Sequence, residues 1–212
     1  TLVAFESLKY RNVEVAVHAD INDHDQSVYF PEIKTLATSN DTKDKDGDVS
    51  KTTTIIDKVS YKNLLPETKY IVEGRLVDKT TKAFIKGSDD KDLVVRKEFT
   101  TTDKDGVVEM EFSLNSEKLR GKDTVVYEKL YRVVDGKEIE LTSHEDINDE
   151  GQTVHFPDIK TTLTDKVTNS HNALAGEKTT LVDKVKYSNL IVGKKYTMTG
   201  TLMDKSTKAP IL

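Results

Sequence analysis

Cysteine is absent from the 212 residues. Disulfides, thiol nucleophiles and Cys-ligated zinc are excluded together, and an extracellular chain of this kind must draw its robustness from something else. No apolar run approaches the roughly 20 residues of a membrane span. The chain opens on a strand pattern, with no secretory signal or lipidation motif, as expected of a window cut from a longer protein. Nor is there a dominant charge: 32 basic and 37 acidic residues are interleaved to a net −5, which argues against nucleic acid as the main partner. Phosphate-binding glycine loops and nucleophile elbows are missing as well. What is present is 35% hydrophobic and 33% charged residues, enough for a packed core and too ordinary for a disordered tail.

An internal repeat organises the chain. Residues 51–86, KTTTIIDKVSYKNLLPETKYIVEGRLVDKTTKAFIK, return as 177–212, EKTTLVDKVKYSNLIVGKKYTMTGTLMDKSTKAPIL, at an ungapped offset of 126. The same offset maps His18 to His144, Asp23 to Asp149, Gln26 to Gln152 and FPEIKT (30–35) to FPDIKT (156–161). LVAFESL (2–8) at the start matches TVVYEKL (124–130) at an offset of 122, which implies a four-residue insertion near Val134–Lys137, expected as a longer Asp-Gly hairpin turn. The chain therefore divides into the C-terminal part of one unit (1–31), a complete unit (32–157) and the N-terminal part of another (158–212). Residues 87–121 have no counterpart in either flank. The expectation is a window on a tandem array.

The unit reads as all-β. Segments near 33–39, 53–60, 68–78, 92–100, 106–113, 123–134, 138–143 and 151–157 are rich in Val, Ile, Thr, Tyr and Phe and are separated by Asp-Gly and Lys-Asp turns. Only LNSEKLRG (114–121) looks helical, one or two turns closed by Gly121. A roughly 125-residue unit of this kind fits an Ig-like sandwich.

Period-2 phasing places polar residues on apolar faces. Glu128 is in phase with Val126 and Leu130, and Glu6 with Ala4 and Leu8. Gln152 is in phase with Val154 and Phe156, Gln26 with Val28 and Phe30, and Thr35 with Ile33 and Ala37. Unpartnered buried polar groups cost a few kcal/mol, about 1–3 by protein mutational data, so each needs company. Two readings fit: a satisfied structural cluster, or a reaction centre in which Thr35 attacks the Gln152 carboxamide. In the second, His144 takes the hydroxyl proton while Glu128 and Asp149 orient or protonate.

The ordered motifs V-[AV]-[FY]-E, H-E-D-I-N-D-E-G-Q, F-P-[DE]-I-K-T, D-K-V-x-Y-x-N-L and G-x-L-x-D-K-[ST]-T run the length of the chain. In them the sequence resembles the VaFE-repeat surface proteins of Gram-positive bacteria, whose modules are T-Q ester-bond domains, Ig-like sandwiches of the collagen-adhesin B type. The resemblance implies a Thr on the first strand condensing with a Gln on the last, with loss of ammonia, helped by a His, an Asp and a Glu. It is a single-turnover self-cross-linking, not enzymic turnover, and needs no cofactor or metal. Carried over, these residues are Gln152, His144, Asp149 and Glu128, with Tyr127 in place of the usual Phe. Thr35 is the chosen nucleophile: Thr38 is out of phase with Ile33, and Thr53 or Thr54 would lie on the second strand. The flanks carry the partial sets Glu6, His18, Asp23 and Gln26, and Thr161. They are not expected to close a bond between flanks, for want of the middle strands. The resemblance further implies a stalk repeat of an extracellular, wall-anchored adhesin, with neighbouring repeats as partners and a host ligand the sequence does not name. Rivals are an isopeptide sandwich, disfavoured because Lys34 faces opposite to Ile33, and a ligand-binding module with an uncross-linked polar core.

DTKDKDGD (41–48) resembles a calcium loop, but Thr42 and Thr53 stand at the first and twelfth ligand positions, and a solvated acidic turn is expected. His24, His155 and His171 have no metal-ligand spacing and are expected at the surface. Asn40-Asp-Thr42 is a glycosylation sequon of little weight in a bacterial protein.

Overall fold

The computed structural model describes residues 1–211; Leu212, the last residue of the third segment, lies outside them. The strands, in chain order, are β1 (Leu2–Val3), β2 (Glu6–Tyr10), β3 (Val13–His18), β4 (Ser27–Val28), β5 (Glu32–Ser39), β6 (Thr53–Lys62), β7 (Lys69–Asp78), β8 (Val94–Thr100), β9 (Gly106–Leu114), β10 (Lys122–Val134), β11 (Lys137–His144), β12 (Thr153–Phe156), β13 (Asp158–Asp165) and β14 (Leu181–Ser188). The helical expectation over 114–121 reduces to a single 3-10 turn, Glu117–Leu119, with Gly121 following at φ +71.

β5 to β12 form an antiparallel sandwich. One sheet runs β5-β6-β9; the other runs β11-β10-β7-β8, with β12 also on β10. Alternation explains the three-stranded sheet. Thr53, Ile55, Asp57, Val59 and Tyr61 of β6 point inward, as do Val108, Met110, Phe112 and Leu114 of β9. β7 lies between β10 and β8 and is buried nearly throughout; Tyr70, Val72 and Leu76 face the core, while Glu73 on its other face is paired with Arg75 and Arg96. The core joins Ile33, Ala37, Ile55 and Val59 to Tyr70, Val72, Leu76, Val126, Leu130, Val154 and Phe156 across the sheets. Each large side chain so buried is worth about 1.5–3 kcal/mol.

β10 changes partner along its length. Lys122 to Val125 pair with β12, and Glu128 to Val134 pair with β11. The gap between the two pairings is where residues 145–152 leave and return, and the Val126 amide donates to the Gln152 carbonyl across it (3.2 Å). On the other sheet β5 is an edge strand, and its Ala37 amide donates to the Gly151 carbonyl (3.0 Å).

Two expectations need correction. The four extra residues near Val134 do not lengthen a turn. Asp135-Gly136 and Arg11-Asn12 are both two-residue turns with positive φ, and the longer hairpin instead adds two residues to each arm. Residues 87–121, central in the sequence, supply β8 and β9, which are edge strands, one in each sheet. Their absence from the flanks removes edges, not the middle of a sandwich.

Gly74, opposite Glu128 on β7, has no room for a side chain: a Cβ there would come within 2.4 Å of Met110 and 2.6 Å of Phe112, both buried. Gly74→Ala should therefore destabilise the 32–157 unit by about 1–3 kcal/mol. Denaturant titration of the two chains checks this; unchanged stability would show that the two side chains can repack.

Candidate functional site: a buried Thr–Gln–carboxyl centre

The gap on β10 is filled by polar groups. Glu128 and Gln152 are both fully buried, and Gln152 Nε2 donates to Glu128 Oε2 in a short hydrogen bond. Gln152 Nε2 also lies 3.5 Å from the His144 carbonyl. The β10–β11 register puts Glu128 directly opposite His144. His144 Nε2 sits 2.9 Å from Asp149 Oδ2, so its other nitrogen is the one left to face the site. Asp149 in turn accepts the Gly151 amide (2.6 Å) and fixes the turn that delivers Gln152.

Thr35 comes from the facing sheet. Its backbone carbonyl is 3.4 Å from where a Cβ on Gly151 would lie, so the first strand and the Gln152 loop are in contact. A side chain at 151 would also meet Asp149 Oδ1 at 2.9 Å, so the close approach of Thr35 and Gln152 depends on glycine here. Thr35 Oγ1, Gln152 Oε1, Glu128 Oε1 and His144 Nδ1 are all buried without a hydrogen-bond partner. Native proteins rarely leave such groups unpaired, and a concentration of them marks a functional place.

Sequence reasoning missed two members. Asp57 of β6 is fully buried, and both its carboxylate oxygens lack partners. Its β6 register sets it opposite Ala37, two residues from Thr35. It was legible, being in phase with Ile55 and Val59 within the repeated D-K-V motif, and Asp183 repeats it. Lys45 reaches in from the 41–48 loop, where Nζ donates to the carbonyls of Ala37 (2.5 Å) and Gly151. That loop is solvated over its first four residues, as expected of an acidic turn, but its second half packs: Gly47 lies under the Phe156 ring and its amide donates to the His155 carbonyl. Nothing in the sequence pattern distinguishes Lys45 from the lysines around it.

Two carboxyls in one dry pocket cannot both ionise freely. Burial first, and then the charge of the neighbouring Asp57, push Glu128 up to about 11, while the nearby Thr35 hydroxyl pulls the other way. Burial raises Asp57 to about 6, against the neighbouring Glu128 carboxyl and the Lys45 charge. Near neutral pH the pair therefore holds one proton, chiefly on Glu128. Lys45 itself is lowered by burial.

The flanks carry the two halves of the same constellation. In the first, Glu6 opposes His18, His18 Nε2 lies 2.8 Å from Asp23 Oδ2, and the Gln26 amide is 3.2 Å from His18 Nδ1. In the third, Thr161 opposes Val185 as Thr35 opposes Val59, and Asp183 opposes Leu163 as Asp57 opposes Ala37. His155 is bonded to Asp123 through Nδ1 (2.8 Å) and takes no part in the centre; His24 Nδ1 contacts the Tyr29 hydroxyl (3.1 Å). Among the described residues no group of His, Asp or Glu is arranged to hold a metal ion, and no helix is long and apolar enough to cross a membrane.

Fold and site define a class: an antiparallel sandwich, flanked by partial copies of its own repeat, that brings a threonine hydroxyl and a glutamine amide to a buried carboxyl pair. The chain belongs to the family of T-Q ester bond containing domains, which matches it three times, over residues 1–30, 31–156 and 157–210. Two crystal forms of a bacterial adhesin from Mobiluncus mulieris, described as containing intramolecular disulfide, isopeptide and ester bond cross-links, are similar in structure. They are 16% and 17% identical, with 74% of this chain and 75% of theirs covered and a TM-score of 0.48 for each. No curated protein is similar enough to count as a match.

The carboxyl pair makes stability pH-dependent in a chain that keeps both acids but lacks the hydroxyl, Thr35→Ala. Asp57 and Glu128 have unfolded values of 3.8 and 4.5 and raised folded values, so the folded state holds more protons than the unfolded state above that range. Their contribution is fully present below about pH 4 and is lost as pH rises, for Asp57 through about 6. Adding Asp57→Asn should flatten this fall. Denaturant titrations across pH check it, and equal slopes in the single and double variants would contradict the assignment.

Proposed function

We propose that residues 32–157 cross-link themselves through an ester between Thr35 Oγ1 and Gln152 Cδ, and that the chain is a stalk segment of a bacterial surface adhesin. The observation that carries this is the convergence of the Thr35 hydroxyl and the Gln152 amide on the buried Glu128–Asp57 pair, within a chain belonging to a T-Q ester family. Thr35 Oγ attacks the carboxamide carbon and its proton passes to the carboxyl pair. The tetrahedral intermediate collapses as the pair returns a proton to Nε2, and ammonia leaves. One C–O bond forms, one C–N bond breaks, and the pair ends as it began. In this reading His144 Nδ1, the ring nitrogen left free by Asp149, offers a lone pair that shuttles the proton between the carboxyl pair and the departing nitrogen; its counterpart in the first segment lies 3.2 Å from the Gln26 amide nitrogen. The centre is consumed by its own product, so it turns over once.

Such a bond closes a loop of over a hundred residues. By the chain-entropy argument used for disulfides it stabilises the fold by about 5 kcal/mol, without dependence on redox poise. In a tandem array with neighbouring repeats as partners, it also ties each unit's first strand to its last. A surface stalk without cysteine has use for that, and wall anchoring and a host-binding tip belong to the same reading. Lys34 is exposed, which disfavours an isopeptide from the first strand.

Intact mass should show one ammonia lost from the chain. Thr35→Ala and Gln152→Ala should each abolish that loss and lower the melting temperature, and hydroxylamine should cleave the bond. A full-mass wild-type chain, or a Thr35→Ala chain that still cross-links, overturns the proposal; a bond that resists hydroxylamine points to an isopeptide. His144→Ala should slow closure by about 10²-fold or more, the scale of one lost acid–base group. Time-resolved mass measurement reads this, and wild-type kinetics would remove His144 from the reaction.

A further inference from the structure

Consecutive repeats are separated by almost nothing. β12 ends at Phe156 and β13 begins at Asp158, with Pro157 between them; β5 begins at Glu32, directly after Phe30-Pro31. A bond-rotation hinge needs more freedom than a proline with fixed φ supplies. The junction is further occupied by a side chain from the following repeat. Asn189, just beyond β14, donates through Nδ2 to the carbonyls of Phe156 (3.1 Å) and Lys122 (2.9 Å). Lys122 and Phe156 are the terminal partners of the β10–β12 pairing, so the amide plugs the open end of that ladder. Phe156 is itself immovable: its side chain is fully buried, and its carbonyl also accepts the Gly121 amide (2.8 Å).

The same contact occurs at the other junction. Asn63, the repeat equivalent of Asn189, donates through Nδ2 to the carbonyl of Phe30, the equivalent of Phe156 (3.2 Å). Both asparagines sit at the same left-handed backbone position, φ 59, which asparagine adopts more readily than most residues. That conformation turns the amide back towards the preceding repeat. Around Asn189 the fit is close: a Cβ on Gly121 would lie 3.5 Å from Ser188 and 3.6 Å from Asp158. Lys194 also pairs with Asp44, and the Tyr196 hydroxyl donates to Asp46 (2.9 Å), but the middle repeat has Thr68 and a buried Tyr70 at those positions, so these contacts belong to one junction only.

We propose that the asparagine of the Tyr-x-Asn-Leu motif is an inter-repeat clasp: it docks onto the last strand of the preceding repeat and fixes the angle between the two units. The role is independent of whether the ester forms. The surface it recognises is the pair of ladder-end carbonyls left by a terminal strand, and its partner is the next copy of the repeat in the same chain.

The absence of native cysteine permits site-specific spin labels at Glu111→Cys and Lys184→Cys, on exposed faces either side of the junction. Distance distributions are then measured in the full chain. Asn189→Gly keeps the left-handed backbone and removes the amide; Asn189→Asp keeps the shape and removes the donor. Each should raise the population outside the native distance peak by roughly fivefold, as expected for one or two net hydrogen bonds lost. Hydrogen exchange of the β13–β14 amides should stay unchanged. A distribution as narrow as that of the parent overturns the clasp. So does broadening accompanied by lost β13–β14 protection, because the asparagine would then act only within its own hairpin.

Discussion

A glutamine amide and a glutamate carboxyl, both removed from water, sit at the middle of the sandwich, and much of the local architecture serves to hold them there. A strand paired continuously along one edge offers no place for such groups, since every position on its inward face is packed by an apolar neighbour. β10 solves this by changing partner at Val126–Glu128. The break admits the His144–Gln152 loop, whose turn is fixed by Asp149 and whose glycine lets Thr35 approach. Lys45 supplies donors to the carbonyls of Ala37 and Gly151, drawing the edge strand and the loop together from outside.

In the proposed reading the energetics favour reaction over rest. A fully satisfied polar cluster would stabilise a core; this one leaves hydroxyl, amide, imidazole and carboxyl atoms without partners. Converting a hydroxyl and a primary amide into an ester would replace two strongly hydrogen-bonding groups by one weakly accepting group, which a dry pocket holds at less cost. Excluded water would also protect the ester, because hydrolysis needs a water in the core, while the true reverse step needs the ammonia that has left. In this reading the burial that raises Glu128 and Asp57 is what keeps a proton available for the departing nitrogen.

How much of this the sequence disclosed differs by element. The all-β class and the strands of the middle unit follow from alternation, which is strict in β6 and β9 because one face of each is buried. Glu128, Gln152 and Thr35 stand out by the same logic, as polar residues in an apolar phase. Asp57 obeys it equally and was overlooked within a motif read for its repetition. Lys45 was not legible, because its role depends on a loop folding back over the core, and no periodicity governs a loop. Strand order was hidden as well: β8 and β9 lie mid-sequence yet at sheet edges, a matter of tertiary pairing. The hairpin insertion was located correctly but assigned to the turn, where a two-residue turn with positive φ is already the geometric optimum and extra length goes into the arms.

Strength and shape of an array of such units reside in different residues. With Thr35 tied to Gln152, tension entering at Pro31 crosses to the last strand and leaves at Pro157, bypassing β6 to β11 altogether. The sandwich then carries no load, and its hydrogen-bonded ladders need only keep water from the bond. What stretches or bends is the short segment from Gln152 to Thr161, between one tie and the next. Phe156 lies in the middle of that segment, anchored by its ring under Gly47 and by amides from Gly121 and Asn189. Removing an anchor there alters how the array flexes without weakening any cross-link, and removing a cross-link weakens a unit without freeing its joint. If the proposed tie and clasp both hold, the two tasks share no side chain, so a repeat could change its stiffness while keeping its chemistry, and successive repeats in one array need not bend alike.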